Sequence, residues 1–149
     1  IAQKDELSGE LTISFDLLSL GETGLDARLD GRVPICANAD NCKKVFESRL
    51  CPLGFEVEAE MLPAHHTPAE GEFVSTLLRC YETYSGRKGE CLATGGGTYV
   101  HDIAGGVAFG AGMPGFASNL HGANERINIR DSLAACKIFA LAIAELCGE

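Results

Sequence analysis

The glycine-rich stretch from Gly95 to Gly122 limits what this chain can fold into more than any other feature of its sequence. It contains nine of the chain's 18 glycines. Such a density indicates backbone with unusual dihedral angles, or backbone that another group approaches closely. The stretch begins with a triple glycine and reaches His121, which Asn124 and Glu125 follow. Because imidazole is a common metal ligand, we expect one wall of a buried active site here, with His121 as a metal ligand.

Length and composition are those of a globular protein. The 149 residues suffice for one ordinary domain or two small subdomains, and 46% hydrophobic with 22% charged residues argues against a disordered chain. The net charge of −9 argues against nucleic acid and against an anionic membrane as partners, since both repel an acidic protein. No apolar run approaches the roughly 20 residues that span a bilayer.

The seven cysteines are odd in number and include no C-x-x-C pair. We expect Cys42, Cys80 and Cys136 to pack as small hydrophobic residues on the apolar faces of helices. This usage indicates a reducing compartment, and therefore the cytoplasm. The alternative, a zinc site built from cysteines, lacks the required ligand spacing.

The first half of the chain has the pattern of two strands, a helix and a third strand. Alternating apolar residues predict strands over 8–20 and 25–35, joined by a short turn into an antiparallel hairpin. Helical spacing predicts a helix over 38–50, with Asn38 or the aspartate two residues later as its cap. Residues 55–61 have the clearest strand pattern, with apolar residues on one face and three glutamates on the other.

The second half of the chain alternates helices with short strands. Residues 67–70 match a capping box with proline at the first helical position, which predicts a helix from there to about Ser85. The last helix, predicted over 132–146 after a cap at Asn128, is apolar around most of its circumference, so we expect it to be largely buried. Two short strands are predicted at 91–94 and 107–110.

This order of elements predicts an α+β or α/β fold. The first half has the order of a split βαβ unit that lacks a strand and a helix before it. The second half has the pattern of the end of an α/β layer. The boundary between the halves is expected near residues 63–68, where His65 and His66 lie.

Histidines are the first candidates for chemistry. A single histidine is most often a surface or hydrogen-bonded residue, which is the ordinary interpretation of His65, His66 and His101. His121 differs by its glycine-rich context. Catalytic zinc usually takes three protein ligands, and the chain has neither H-E-x-x-H nor H-x-D. Residue spacing alone therefore assembles no complete metal site.

The triple glycine and Arg32 are the candidates for binding an anion. Consecutive backbone amides at 95–97 can form a cradle for a phosphate or an oxyanion, and the alternative is a tight turn beneath another element. The stretch is not a P-loop, because no Gly-Lys-Ser/Thr follows. Arg32 is either a solvated charge on a polar strand face or a guanidinium fork that binds a substrate carboxylate.

Four motifs that follow one another along the chain carry a resemblance to a known family. They resemble PepV-type dipeptidases, members of the dinuclear-zinc metallopeptidase family that includes aminoacylase, carnosinase and succinyl-diaminopimelate desuccinylase. The resemblance covers nearly the whole chain. The motifs are D-G-R-V-P at 30–34, G-G-G-T-Y at 95–99, G-G-V-A-F-G at 105–110 and H-G-A-N-E-R-I-N-I-R-D at 121–131.

The resemblance implies a fold, a cofactor and a reaction. Residues 1–66 would be part of a ferredoxin-like lid domain, and residues 67–149 the C-terminal segment of the catalytic domain. The family holds two zinc ions, for which manganese or cobalt can substitute. A bridging water attacks the peptide carbonyl, with a glutamate as general base. The substrate would be a dipeptide with a free C-terminal carboxylate or an N-acyl amino acid.

The resemblance also implies residue roles. His121 matches the family's C-terminal zinc-ligand histidine, and Arg32 matches the lid arginine that grips the substrate carboxylate. Asn124 and Glu125 resemble residues that support the ligand histidine. The loop that lines the carboxylate pocket is matched by Gly95, Gly96, Gly97 and Thr98.

Two positions depart from the family pattern, and a larger part of the family pattern has no counterpart. His101 stands where the family often has arginine, and Arg126 where it often has a bulky residue such as tyrosine. The other metal ligands, the catalytic glutamate and the lid histidine come from earlier parts of the family's sequence. We therefore expect this chain to be a C-terminal fragment that has no catalytic residues of its own and is inactive alone.

Assembly and function leave alternatives open at this point. A lid without its first strand and helix exposes a sheet edge and apolar surface, so we expect a homodimer through those surfaces. The reaction could be deacylation of N-acyl amino acids instead of dipeptide hydrolysis. If the chain is not part of an enzyme, it could be a non-catalytic binding domain with the same fold, or an unrelated acidic α+β domain whose glycine loop binds an anion.

Overall fold

The protein is described from a computed structural model, in residues 2–110 and 112–148. Ala111, inside the glycine-rich stretch, lies outside the described residues. The described residues divide into two compact units. The first runs up to His65 and includes Ala93–His101, and the second consists of His66–Leu92 and the described residues from Asp102 onward. The assignment of a lid and a catalytic segment stays a prediction.

Two small antiparallel sheets belong to the first unit. Strands β1 (Lys4–Asp5) and β2 (Gly9–Glu10) form one sheet, and strands β3 (Thr12–Gly21) and β4 (Gly24–Arg32) form the other. The predicted hairpin is confirmed by the pairing of β3 with β4, which closes at a Gly21–Gly24 pair. Together with three α-helices in the described chain, these sheets give the mixed α and β content that the sequence predicts.

A β-bulge at Asp16 explains why the alternating pattern of β3 blurs. Phe15 pairs with Leu29 and Leu17 pairs with Arg28, so Asp16 is the extra residue. An extra residue reverses which face the following side chains occupy. The hydroxyl of Ser14 donates a hydrogen bond to the Asp16 carboxylate beside the bulge.

The bulge keeps four of the five large apolar side chains of β3 on one face, while Leu17, opposite Arg28, lies on the other. Ile13 and Phe15 before the bulge share this face with Leu18 and Leu20 after it, because their β4 partners follow each other at every second position. The face is exposed: Phe15 is 59% and Leu20 79% accessible. The hairpin is thus amphipathic, and its apolar side lies open in the described part of the chain.

Asp5 connects the N-terminal turn with the segment after β4. Its carboxylate accepts hydrogen bonds from the backbone amides of Leu7, Ser8 and Cys36 and from the Ser8 hydroxyl. The Ser8 hydroxyl in turn accepts from the Ile35 amide at 2.8 Å. Bonds to the ionised form, foremost from the Ser8 amide, lower the pKa of Asp5 to about 2.

The helical region of the first unit begins at the predicted cap. Asn38 accepts from the amides of Asp40 and Asn41, and the Asn41 side chain accepts from the Asn38 amide, which completes a reciprocal capping box. A π-helical turn, Ala39–Lys43, leads into helix α1 (Lys44–Leu50), and a 3₁₀ turn, Cys51–Leu53, follows. The region ends at Gly54, whose φ of 91° suits glycine.

Three predicted strands are wrong. Residues 55–61, 91–94 and 107–110 form no strand and pair with no other strand in the described chain. Alternation shows only that a segment could have two faces, whereas a strand also needs a neighbour for its backbone hydrogen bonds.

The second unit is built on two helices. Helix α2 (Glu72–Ser85) packs against helix α3 (Ile129–Cys147). Their buried cluster consists of Leu77, Cys80, Ile138 and Ala142, with partly buried apolar residues around it that include Val107 and Phe109. The predicted stop at Gly86 and the predicted cap at Asn128 are both confirmed, the former with φ of 65° and the latter by bonds from the amides of Arg130 and Asp131.

The predicted start of α2 is wrong. The helix begins at Glu72 after Gly71, which makes no side-chain cap bond. The hydroxyl of Thr67, expected to cap the helix, instead donates to the Gly106 carbonyl oxygen at 2.7 Å. A contact 39 residues away has displaced the local one.

The expected burial of α3 is also wrong. Only Ala135, Ile138 and Ala142 are buried on this helix, whereas Ile143 is 64% accessible. Cys136 lies exposed, although Cys42 and Cys80 are buried as expected, and burial raises the pKa of the Cys80 thiol. All seven cysteines lie in the described residues, and none of them forms a disulfide.

Membrane-spanning helices were sought in the described residues. None of the helices in 2–110 and 112–148 combines the length and the apolar character that crossing a bilayer requires.

Candidate functional site

Arg32 and Gly95 lie together in the first unit, although 63 residues separate them in sequence. Nη1 of Arg32 donates to the Gly95 carbonyl oxygen at 2.8 Å. A Cβ atom added to Gly95 would lie 3.2 Å from the Arg32 Cβ and 3.4 Å from its Cγ. The arginine stem therefore packs directly on the backbone of the first glycine, which is the close approach that the glycine density indicated.

The guanidinium of Arg32 is oriented from two sides. Its Nε donates to Oδ2 of Asp30 at 3.0 Å, and Nη2 forms an ion pair with the same oxygen at 2.9 Å. Hydrogen bonds to Asp30 and Gly95 use two of the five N–H donors of an arginine, on Nε and on Nη1. The remaining donors belong to Nη1 and Nη2, and the side chain is 48% accessible. Two donors on one rigid plane can bind a carboxylate through two hydrogen bonds.

The rest of the glycine loop is open. The Gly96 amide donates to the Thr94 hydroxyl at 3.3 Å, so that amide is already bonded. A Cβ at Gly97 would meet nothing within 4 Å. The Thr98 carbonyl accepts from the His101 amide at 3.1 Å and begins a 3₁₀ turn, Tyr99–Asp102.

His101, which departs from the family pattern, lies in the same unit as Arg32. Its Nε2 is 2.7 Å from the Pro63 carbonyl oxygen, and its ring centroid is 5.9 Å from that of His65. A donor at Nε2 fixes the ring at the end of the glycine loop. Sequence reasoning left both histidines without a role, because the contact joins segments 38 residues apart.

His121 lies on a tight, exposed loop of the second unit. Asn119, His121 and Asn124 all have left-handed backbone, with φ of 55°, 60° and 57°. Asparagine and histidine are among the non-glycine residues that adopt this conformation most readily. The Gly122 amide closes one turn by donating to the Asn119 carbonyl oxygen at 2.8 Å.

Arg126 closes the same loop. Its amide donates to the Ser118 carbonyl oxygen at 2.9 Å, and its Nε donates to the Ala117 carbonyl oxygen at 3.0 Å. The guanidinium also lies over the Phe116 ring at 5.9 Å. These contacts hold the residues on either side of His121 together. The sequence indicated Arg126 only as a departure, and its structural role was missed.

The described residues do not fit a complete zinc site. No group of three or more histidine, cysteine, aspartate or glutamate side chains in residues 2–110 and 112–148 is placed to hold a metal ion. His121 is exposed, and no hydrogen bond joins it to Asn124 or Glu125 within the described chain. The expected buried wall is therefore open here, and the imidazole could supply at most one metal ligand.

The structure thus joins some of the predicted site residues and not others. Arg32 contacts Gly95, and Gly96, Gly97 and Thr98 continue the same loop in the first unit. The second unit contains His121, Asn124 and Glu125.

Comparison with known proteins finds relatives that match nearly the whole chain. A Bacillus subtilis (strain 168) protein named "Putative dipeptidase YtjP" is 36% identical over 96% of this chain. A Staphylococcus epidermidis protein with a name of the same kind is 30% identical over 97%. The Beta-Ala-Xaa dipeptidase of Lactobacillus delbrueckii subsp. lactis is 31% identical over 98%. No family model matches the chain.

The matched region is only part of each relative. The chain spans 31% of the length of each of these three proteins. Nearly the whole chain is therefore similar to a segment that makes up about a third of each of these proteins, which are named dipeptidases.

Proposed function

We propose that this chain is the C-terminal portion of a zinc-dependent dipeptidase that hydrolyses dipeptides with a free C-terminal carboxylate. The observation that carries the proposal is the 36% identity to a protein named a dipeptidase over 96% of the chain. The name of the Lactobacillus relative, a Beta-Ala-Xaa dipeptidase, supports a dipeptide as the substrate. In this proposal residues 1–66 are part of a lid domain, and residues 67–149 are the closing segment of a catalytic domain.

Arg32 has the role of holding the substrate carboxylate. Its donors on Nη1 and Nη2 that make no hydrogen bond in the described chain suit the two oxygens of a carboxylate. Asp30 and the Gly95 carbonyl oxygen hold the guanidinium plane in place, so little side-chain entropy is lost when a ligand binds. The ion pair with Asp30 also reduces the positive charge that the carboxylate meets. Binding would then depend on donor geometry more than on net charge.

His121 has the role of one metal ligand in the longer protein. The left-handed backbone and the Arg126 contacts hold its loop in one conformation, which suits a ligand that must be positioned before metal binds. In residues 2–110 and 112–148, no group of three or more histidine, cysteine, aspartate or glutamate side chains could hold a metal ion, so the other ligands would come from the rest of the longer protein. The chain by itself should be inactive. A cytoplasmic location, favoured by seven cysteines without a disulfide, is part of the same proposal.

A chimaeric enzyme tests the proposal. This chain replaces the matched third of the Lactobacillus Beta-Ala-Xaa dipeptidase, and hydrolysis of a β-alanyl dipeptide and of an N-acetyl amino acid is measured with zinc added. We expect dipeptide turnover in the chimaera and none above background in the isolated chain. Arg32→Ala should raise KM for the dipeptide by roughly tenfold or more, because a charge-assisted hydrogen bond is lost.

Controls separate binding from folding and from metal chemistry. Arg28→Ala removes a neighbouring arginine of β4 that lies outside the glycine-loop contact, and KM should stay within about twofold of the parent chimaera. His121→Ala should abolish turnover while leaving the fold intact by circular dichroism. A folded chimaera that cleaves only the N-acetyl amino acid would replace the dipeptidase by a deacylase. One that cleaves neither substrate would contradict the proposal.

A further inference from the structure

The glycine loop of the first unit is anchored to distant residues at both of its ends. At its start, Nη1 of Arg32 donates to the Gly95 carbonyl oxygen at 2.8 Å. At its end, Nε2 of His101 lies 2.7 Å from the Pro63 carbonyl oxygen. Between these anchors, a Cβ atom added to Gly97 would meet nothing within 4 Å. The loop therefore has an open centre and a side-chain hydrogen bond at each end.

The Pro63 contact fixes both the proton and the orientation of the His101 ring. A carbonyl oxygen only accepts hydrogen bonds, so Nε2 carries the hydrogen and donates it. The acceptor is itself restrained, because the pyrrolidine ring of Pro63 fixes its φ angle. On its other flank, His101 lies beside the ring of His65, with centroids 5.9 Å apart and planes inclined at 39°. The imidazole is therefore held by a bond at one atom and by a neighbouring ring.

The side chain of His101 is coupled to the backbone of the loop. Its own amide donates to the Thr98 carbonyl oxygen at 3.1 Å, at the start of the 3₁₀ turn Tyr99–Asp102. Thr98 directly follows the triple glycine. A bond that holds the imidazole on the Pro63 carbonyl therefore also holds this turn, and with it the peptide group that follows Thr98.

The same bond joins two segments at the points where each leaves the first unit. His65 is the last residue of the first segment of this unit, and His101 is the last residue of its second segment. A loop that is anchored only at its start keeps more conformations at its end, and glycine widens that range. Ordering such a loop on a ligand costs entropy that a second anchor has already removed.

Direct contact of His101 with a substrate carboxylate agrees less well with this geometry. Such a bond would have to come from Nδ1, since Nε2 is already bonded to the Pro63 carbonyl oxygen. With its hydrogen on Nε2, the neutral ring presents only a lone pair at Nδ1, which a carboxylate oxygen cannot use. An action through the loop needs no such contact.

We propose that His101 is a positioning residue for the carboxylate end of the substrate, and that it acts by anchoring the end of the glycine loop on the Pro63 carbonyl. It does not touch the substrate itself. The class of ligand rests on the proposed function, whereas the anchor rests on the contacts of His101. The histidine that departs from the family pattern thus has a defined task in this chain.

NMR titration of the full chain with a dipeptide tests this inference. The probes are β-alanyl-alanine and its C-terminal amide, which lacks the carboxylate, and the amide signals of Gly96, Gly97 and Thr98 report binding. In the wild type, these signals should shift with the free dipeptide and stay in place with its amide. His101→Ala should weaken binding of the dipeptide by about fivefold, the effect of one ordinary hydrogen bond.

Further variants separate the hydrogen-bond donor from the ring. His101→Gln carries an amide N–H that can reach the same carbonyl, and it should keep the affinity within about twofold of wild type. His101→Phe keeps a ring beside His65 and removes the donor, so it should lose affinity as alanine does, and it decides the question if the alanine variant is unfolded by circular dichroism. His66→Ala, at the exposed neighbouring histidine, is the matched control and should bind like wild type.

Three outcomes would overturn the inference. One is wild-type affinity in the folded variants that lack the donor. Another is a folded His101→Gln chain that binds as weakly as His101→Phe. The third is a wild type whose loop signals respond to neither ligand, or respond equally to the dipeptide and its amide. None of these titrations requires turnover, so they decide the role of His101 even if the chimaera cleaves neither substrate and the proposed function fails.

Discussion

Gly95→Ala is the sharpest perturbation of the candidate site. The added Cβ would lie 3.2 Å from the Arg32 Cβ, closer than ordinary van der Waals contact, so the arginine must move by a few tenths of an ångström. The neighbouring Gly97→Ala offers a matched control, because its Cβ would meet nothing within 4 Å. Neither glycine has a positive φ, so the two variants differ in packing and not in backbone strain.

The expected size of the effect follows from the contact that is disturbed. Arg32 donates to the Gly95 carbonyl oxygen at 2.8 Å, and this bond orients the donors left for a ligand. A hydrogen bond from a charged group contributes roughly 1.5–3 kcal/mol, and the 48% accessibility of the side chain lowers this through solvent screening. Weakening the bond should cost about 1 kcal/mol of ligand binding, or roughly fivefold in affinity.

The chimaeric dipeptidase provides the assay. Gly95→Ala should lower kcat/KM for the dipeptide by roughly fivefold, mainly through KM, while Gly97→Ala stays within about twofold. Thermal unfolding of both variants shows whether either change affects folding. Equal kinetic effects of the two substitutions, or a larger effect at Gly97, would refute the reasoning that Gly95 is needed for the approach of Arg32.

Three further predictions concern folding. Hydrogen bonds hold the pKa of Asp5 at about 2, below its unfolded value, so its contribution to stability is complete above about pH 4 and is lost as the pH falls towards 2. The urea unfolding midpoint measured against pH should show this loss, and Asp5→Asn should make that profile flatter. Ile138→Ala should lower the free energy of unfolding in urea by about 2–4 kcal/mol, and Ile143→Ala, at an exposed position, by less than about 1 kcal/mol. Equal losses would indicate that Ile143 is buried in solution. Asn128→Ala should lower the free energy of unfolding by about 1 kcal/mol, because the cap of α3 is lost, and an unchanged urea midpoint would contradict this prediction.

Local signals in the sequence predicted the features that depend on a few neighbouring residues. The hairpin turn, the Asn38 and Asn128 caps and the stop at Gly86 each depend on one side chain or one glycine acting on adjacent backbone. Such interactions are complete within a turn of chain, so a pattern is enough to find them.

Long-range contacts explain what the sequence did not predict. Thr67 has the sequence of a helix cap, yet its hydroxyl bonds the carbonyl oxygen of Gly106. Residues 55–61 have strand alternation and lack a neighbour in the described chain. The apolar circumference of α3 gives no indication of which residues meet α2, and Leu133 stays 60% accessible. In each case the deciding partner is distant in sequence.

The candidate site was predictable in part for the same reason. Motif resemblance selected Arg32 and the glycine loop, but only the structure shows that Gly95 is the glycine that the arginine contacts. The Arg126 contacts around the His121 loop could not be inferred from spacing, because they join carbonyl groups and a ring that carry no sequence signal. Whether these residues act on a substrate stays a prediction for the chimaera to test.

The bulge at Asp16 makes β3 tolerant of a deletion at this one position. Without Asp16, Phe15 would still face Leu29 and Leu17 would still face Arg28, so the ladder would become regular and Phe15 and Leu18 would stay on the same face. A homologue that lacks this residue could therefore keep the apolar side intact with the same residues on either side of the gap. The spacing of apolar residues around position 16 is thus a marker for aligning distant relatives, because it shows where a single gap in β3 belongs.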